Sequence, residues 1–108
     1  MTNNSNEIKF GDVTIKILSN SADLTVSELE IPVGAIATPH HHPHEEVNYV
    51  VQGSLEFMRD GETQTLEPGQ SIRIAPNQVH NITNHSDEPG VVLSIWTPSR
   101  KDLIAKLP

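Results

Sequence analysis

The stretch GAIATPHHHPHEEVNYVVQG, residues 34–53, crowds four of the chain's six histidines and two acids into residues 40–46. An affinity tag would sit at a terminus and would not be interrupted by Pro43 and Glu45, so the cluster belongs to the protein. In an extended strand, side chains two apart share a face. His40 and His42 can therefore reach one ion together, with His41 on the other side. Pro43 breaks the ladder and the chain re-enters a strand near Glu46, an acid placed to swing back over the same ion. One strand cannot surround a cation, and His80, just beyond the Pro76-Asn77 turn, is the natural contributor from a neighbouring strand. Three neutral imidazoles and one carboxylate suit a divalent transition metal with positions left for water or substrate. A solvated, histidine-rich loop is the competing reading of the same residues.

Outward from the cluster, turn signals recur at a nearly even pace: Ser19 to Ser21, Pro32 to Gly34, Gln52-Gly53, Asp60-Gly61, Pro68-Gly69, Pro76-Asn77 and Ser86 to Gly90. Short strands at about 8–12 residue spacing mark an all-β sandwich or barrel. Val13, Ile15 and Ile17 alternate with Thr14 and Lys16 as a half-buried strand does. Asp60-Gly61 fits a type I′ hairpin and Pro68-Gly69 a type II turn. The run from Val91 to Thr97 is apolar on both faces and predicts a central strand. Beyond it Thr97 is positioned to cap a short C-terminal helix with Pro98 at its first position, running through Leu103 and Ile104. Residues 1–6 are polar and are expected to form a disordered tail; residues 7–108 are expected to form one domain.

Composition narrows the function. The chain of 108 residues carries a net charge of −7, and its seven basic residues form no stripe, which argues against nucleic acid as a partner. With no cysteine, disulfides, thiolate metal sites and cysteine nucleophiles are excluded. The first ten residues, MTNNSNEIKF, show no signal-peptide pattern, and no apolar run approaches the ~20 residues of a membrane span. A soluble, cytoplasmic protein acting on a small molecule is the expectation.

Residues 34–53 read G-x5-H-x-H-x3-E-x6-G, with Gly34, His40, His42, Glu46 and Gly53 at the fixed positions. This resembles the first motif of the cupin superfamily. Gly69, His80 and Asn84 fall at the offsets of the second motif. Ala75 and Asn77 stand where that motif usually has proline and glycine; Pro76 lies one place later, and Asn77 can adopt the left-handed conformation that glycine would supply. The resemblance implies a double-stranded β-helix (a jelly-roll barrel) holding a divalent Mn, Fe, Ni or Zn ion on His40, His42, Glu46 and His80. His44 sits at the rim of that set, with a register using His42 and His44 left open. His41 and His85 are expected to be exposed.

If Gln52-Gly53 closes a two-residue hairpin, Val50 faces Leu55, Asn48 faces Phe57 and Glu46 faces Arg59. Asn48, Val50, Leu55 and Phe57 then line the interior, and Asn48 is either a polar pocket group near the metal or a satisfied core amide. Val47, Tyr49, Val51 and Met58 form an outward row too apolar to be left in water, which with the resemblance predicts a homodimer. The ending SIWTPSRKDL, together with residues 40–46, looks like the small cupins of pectin and alginate breakdown, which linearise unsaturated uronates and end in a D-x-F-x-P-x-R-x-D-like pattern. Ser94, Trp96 and Arg100 match the acid, aromatic and arginine positions. Trp96 keeps an aromatic wall, and Arg100 keeps a fork for a substrate carboxylate or else pairs with Asp102 or Glu30. Ser94 does not keep the acid, and a serine needs a separate base to move a proton.

Three functions are compatible with these residues. One is a metal-dependent isomerase, lyase or ring-opening enzyme acting on a small oxygenated carboxylate such as a sugar acid, with Asn48, Trp96 and Arg100 at the reacting end. The others are a metal-dependent dioxygenase and a non-catalytic sugar- or metal-binding module.

Overall fold

A computed structural model describes residues 6–108. Nine strands and one short helix follow in chain order: β1 Glu7–Phe10, β2 Val13–Asn20, β3 Thr25–Ile31, β4 Glu45–Gln52, β5 Leu55–Arg59, β6 Glu62–Leu66, β7 Ser71–Ile74, β8 His80–Thr83, β9 Gly90–Thr97 and α1 Lys101–Ile104. Of the expected tail, residues 1–5 lie outside the described residues; Asn6 exchanges backbone and side-chain hydrogen bonds with Ile17.

The strands form a six-stranded sheet in the order β1-β2-β3-β9-β4-β7 and a three-stranded sheet in the order β6-β5-β8. Every pairing is antiparallel. The segment before β4 extends the small sheet through bridges from Ile36 to Thr83 and from His40 to His80. The facing surfaces close over a core that includes Ile31, Val50, Leu55, Phe57, Leu66, Ile74 and Val92, each 2% exposed or less. This is the all-β double-stranded β-helix expected, with a single short helix at the C-terminal end.

The alternation read from Val13, Ile15 and Ile17 holds, since all three are buried. The run predicted as a central strand is β9, paired on one side with β3 and on the other with β4. Asp60 (φ 51°) and Gly61 (φ 83°) both take the left-handed conformation that a type I′ turn requires, joining β5 to β6. Gly69 has φ 92°, as in a type II turn, and Asn77 does adopt the left-handed region at φ 63°.

Two expectations fail. β4 and β5 are not hairpin partners: β4 pairs with β7 and β9, β5 with β6 and β8, so Glu46 lies opposite Ile74 and Trp96 rather than Arg59. Gly53 carries the chain across from one sheet to the other instead of reversing it within one. Asn48, Val50, Leu55 and Phe57 are nevertheless all buried, because alternation decides which way a side chain points whatever strand lies beside it. The helix begins at Lys101 without a side-chain cap, not at Pro98. Thr97 is spent in β9, and the Arg100 amide donates to Thr25 Oγ1 at 2.9 Å, tying the chain to β3 before a helical turn can start.

A Cβ on Gly53 (φ 87°) would meet Pro89 O at 2.9 Å and Gly90 Cα at 3.0 Å, whereas one on Gly61 (φ 83°) would meet nothing within 4 Å. Both alanine variants suffer the left-handed penalty of about 1 kcal/mol, and only Gly53→Ala adds a backbone clash. Urea denaturation should therefore place Gly53→Ala about 1–3 kcal/mol below Gly61→Ala; equal midpoints would show that the crossing at residue 53 has room to relax.

Candidate metal centre

Backbone pairing builds the cluster. The amide of His40 donates to the carbonyl of His80 at 3.1 Å and the amide of His80 to that of His40 at 2.9 Å, setting their rings 4.4 Å apart. The left-handed Asn77 directs its amide to the His42 carbonyl at 2.7 Å, holding the 40–42 segment against the turn before β8. Across the barrel, Glu46 rises from the inner face of β4 beside Trp96 of β9. His42, Glu46 and His80 are buried and His40 is half-buried.

Each of the three histidines turns Nδ1 to a backbone carbonyl two residues away: His40 to Thr38 O at 2.9 Å, His42 to His44 O at 3.2 Å and His80 to Gln78 O at 2.8 Å. A carbonyl only accepts, so Nδ1 carries the proton and each neutral ring offers its Nε2 lone pair to the centre. Potential ligand atoms of the three lie within 4.8 Å of one another. Glu46 Oε1 stands 3.0 Å from His42 Nε2 and 3.3 Å from His80 Nε2. Ligands on one ion with bonds of about 2.1 Å are separated by about 3.0–3.4 Å for right-angled to tetrahedral arrangements, so the spacings of Glu46 to His42 and to His80 are those of two ligand pairs on one divalent ion. His80 Nε2 is buried and finds no aligned hydrogen-bond partner. Lone pairs facing a carboxylate repel it unless a positive charge lies between them, and a metal or a proton supplies it.

Glu46 is tied on its outer side as well. Trp96 Nε1–H donates to Oε1 at 2.6 Å and Asn48 Nδ2 donates to Oε2 at 2.7 Å. Burial opposes its charged form, but protons carried on His42 and His80, together with the Asn48 amide, outweigh burial and hold the carboxyl far below the usual range. His80 answers in the opposite sense: burial pushes its pKa down, yet the Glu46 carboxylate beside it leaves a net rise. Burial lowers the pKa of His40.

The cluster opens into a cavity of about 270 Å³ lined also by Phe10, Val13, Ile15, Leu29, Ile82, Trp96, Arg100 and Leu103. Arg100 is buried and stacks over Trp96, its guanidinium carbon 4.8 Å from the ring centre. Its fork is engaged by Asp102, with Nε donating to Oδ1 at 3.1 Å and Nη2 to Oδ2 at 3.0 Å, which holds the Asp102 carboxyl at about 2. The salt-bridge alternative for Arg100 is thus the geometry seen. Asn48 and Ser94 are fully buried cross-strand partners behind the cavity rather than in its wall; Asn48 Oδ1 and Ser94 Oγ have no hydrogen-bond partner. His44 lies outside the three-histidine group, its ring 5.4 Å from that of His42. His41 and His85 are exposed, as expected.

Of the four candidate ligands read from the sequence, the three histidines group together and Glu46 lies against two of them, His42 and His80. Sequence reasoning missed the tryptophan–glutamate bond, which spans 50 residues. It also missed the wall from β2 and β3: Val13, Ile15 and Leu29 looked like ordinary core, and only the open end of the barrel makes them a lining.

Facing antiparallel sheets closing around a cluster of histidines and a buried carboxylate define a double-stranded β-helix barrel whose three histidines lie close enough to hold an ion. Residues 27–96 match the cupin domain, and the chain belongs to the cupin family. Among its relatives is the pectin degradation protein KdgF of Dickeya dadantii, 32% identical over 90 residues that cover 82% of this chain and 81% of KdgF. The solved structure of KdgF from Halomonas sp. superposes with a TM-score of 0.81 at 28% identity, covering 89% of this chain and 88% of that one. An RmlC-like cupin from Shewanella frigidimarina gives 0.82 at 25% identity over 89% and 86%.

Hydrogen bonds to buried charged groups are worth about 1.5–3 kcal/mol. Trp96→Phe keeps a ring over which Arg100 can lie but removes the donor to Glu46 Oε1, and should cost about that much at neutral pH in metal-free protein. In a Glu46→Gln background the same change should cost less, because the charged acceptor is gone. A double-mutant cycle with no coupling would show that the 2.6 Å contact contributes nothing.

Proposed function

We propose that this cupin is a divalent-metal-dependent enzyme acting on a small oxygenated carboxylate, with His40, His42, Glu46 and His80 as the metal ligands. The observation that carries the reading is the grouping of three histidine ligand atoms within 4.8 Å of one another, with a buried carboxylate oxygen 3.0 and 3.3 Å from two of the rings, at the wall of a cavity. A transition metal held there supplies Lewis acidity, polarising a bound oxygen for isomerisation, elimination or ring opening. The protein's own part is positional. Asn48 and Trp96 fix the orientation of Glu46, and Arg100 adds a buried positive charge beside the site.

KdgF's role in pectin degradation supports an acidic ligand. Ser94, whose hydroxyl is buried behind the cavity wall, supports a departure from the uronate reaction, since no carboxylate stands where the pectin- and alginate-type cupins place their acid. That departure keeps the non-catalytic binding module as the second reading.

The outer face of the six-stranded sheet supports a homodimer. Val47, Tyr49, Val51 and Ile95 are all at least 37% exposed, and Ile95 lies between Val26 and Val47 in register. Contiguous apolar surface of this kind marks an association site. Light scattering should give a mass of two chains, and Ile95→Glu should give one; a wild-type monomer at high micromolar concentration would overturn the dimer.

Elemental analysis of untagged protein, purified without nickel or chelators, should find about one transition-metal ion per chain. His80→Ala should lose it, and His41→Ala should keep it; equal retention by both would overturn the ligand assignment. Protons compete for the same Nε2 atoms. Because the Glu46 carboxylate makes His80 take up its proton at higher pH than an ordinary imidazole, metal affinity should begin to weaken above the pH at which an ordinary imidazole protonates and continue to drop below it. A pH-independent affinity between about 5 and 8 would place the metal elsewhere.

A further inference from the structure

We infer that the ligand of this cavity has a compact apolar body carrying its carboxylate or enolate at one end, and is not a polyhydroxylated sugar acid. The inference rests on the reading of the cavity as a ligand site and narrows it. What carries it is where the polar groups are not. The buried side chains of Val13, Ile15, Leu29, Ile82 and Leu103 line the cavity with hydrocarbon, and half-exposed Phe10 packs edge-on against His40 with ring centres 5.1 Å apart.

Outside the three histidines the polar groups of the buried lining are largely committed, with Nη1 of Arg100 engaged by no side chain among the described residues. Glu46 accepts from Trp96 and Asn48, and the fork of Arg100 holds Asp102. Asn81, half-buried, gives its amide to Ala37 O at 2.9 Å. Outside the histidine cluster, Asn48 and Ser94, whose Oδ1 and Oγ are buried without partners, do not line the cavity. The remaining polar lining, His41, Asp102 and Lys106, is exposed at the rim. A sugar acid seated with its carboxylate at the cluster would press its ring hydroxyls against aliphatic carbon, losing water without gaining partners. An alicyclic or aromatic body of the same size would instead bury apolar area against the hydrocarbon lining. At about 270 Å³ the cavity lies near the small end of ligand pockets, which suits one ring.

Two probes separate the cases: cyclohexanecarboxylate and D-galacturonate, each a six-membered ring with one carboxylate, differing in the ring oxygen and hydroxyls. Both are titrated into metal-free and zinc-loaded protein, followed by calorimetry and by the emission of Trp96, the single tryptophan, which borders the cavity. Cyclohexanecarboxylate should bind about tenfold tighter or more, in both forms. Equal binding, tighter galacturonate or binding of neither probe would overturn the inference. The metal reading is tested separately by whether zinc strengthens binding; an unchanged apolar preference without any effect of zinc would sink that reading and leave this one standing. Val13→Thr keeps the side-chain shape and adds a hydroxyl to the wall, so it should narrow the preference severalfold. An unaltered ratio in folded Val13→Thr would show that the probes bind outside the cavity, and would likewise overturn the inference.

Discussion

A carboxylate buried to 4% exposure beside three imidazoles is the constraint around which the rest of this barrel is arranged. Taken alone, a buried carboxylate is costly, and neutral imidazoles aiming lone pairs at it make matters worse. The cost is met from two sides. Trp96 and Asn48 donate from the six-stranded sheet, and the centre admits a positive charge between Glu46 and the histidine nitrogens. Neither half suffices alone, since two neutral donors leave the facing lone pairs unanswered.

That arrangement explains features that are otherwise unrelated. The left-handed conformation of Asn77 matters because its amide holds the carbonyl of His42. The backbone bridge from His40 to His80 matters because it brings two rings from distant parts of the chain side by side. The backbone carbonyls of Thr38, His44 and Gln78 fix tautomers, a task often given to carboxylates in metal sites, so no further acid need be buried around the centre. Arg100 closes the outer end of the same chain of contacts: it lies on the indole that holds Glu46 and is itself held by Asp102.

Much of this was legible in the sequence because alternation is a local property. Which of Asn48, Val50, Leu55 and Phe57 face inward follows from parity within each strand, and it survived a wrong pairing of β4 with β5. Pairing itself is not local. Gly53 looks like a hairpin residue, yet its positive φ serves a crossing between sheets, where Pro89 leaves no room for a side chain. The four clustered residues could be foreseen because three of them fall within seven positions and the fourth follows a recognisable turn. The Trp96–Glu46 bond could not, because only the β4–β9 register places an indole donor opposite that carboxylate. The late start of α1 was hidden for the same reason: the tether from Arg100 to Thr25 is tertiary.

The position of Ser94 ties the fold to the question of substrate. In register it sits between Ser27 and Asn48, with Oγ fully enclosed and unpaired, while the layer above it holds Trp96 and Glu46. An acid at this height would be a buried carboxylate a short distance from the one at Glu46, and two such charges raise each other's pKa unless a cation is shared. With serine there, the interior carries a single carboxylate among the described residues, and both of its oxygens are already engaged. Proton transfer through the floor of the cavity then has no free base to use. Combined with the aliphatic side chains that β2 and β3 add to the lining, Ser94 leaves the proposed ligand site with its histidine cluster at one wall and little polar surface elsewhere in its buried part.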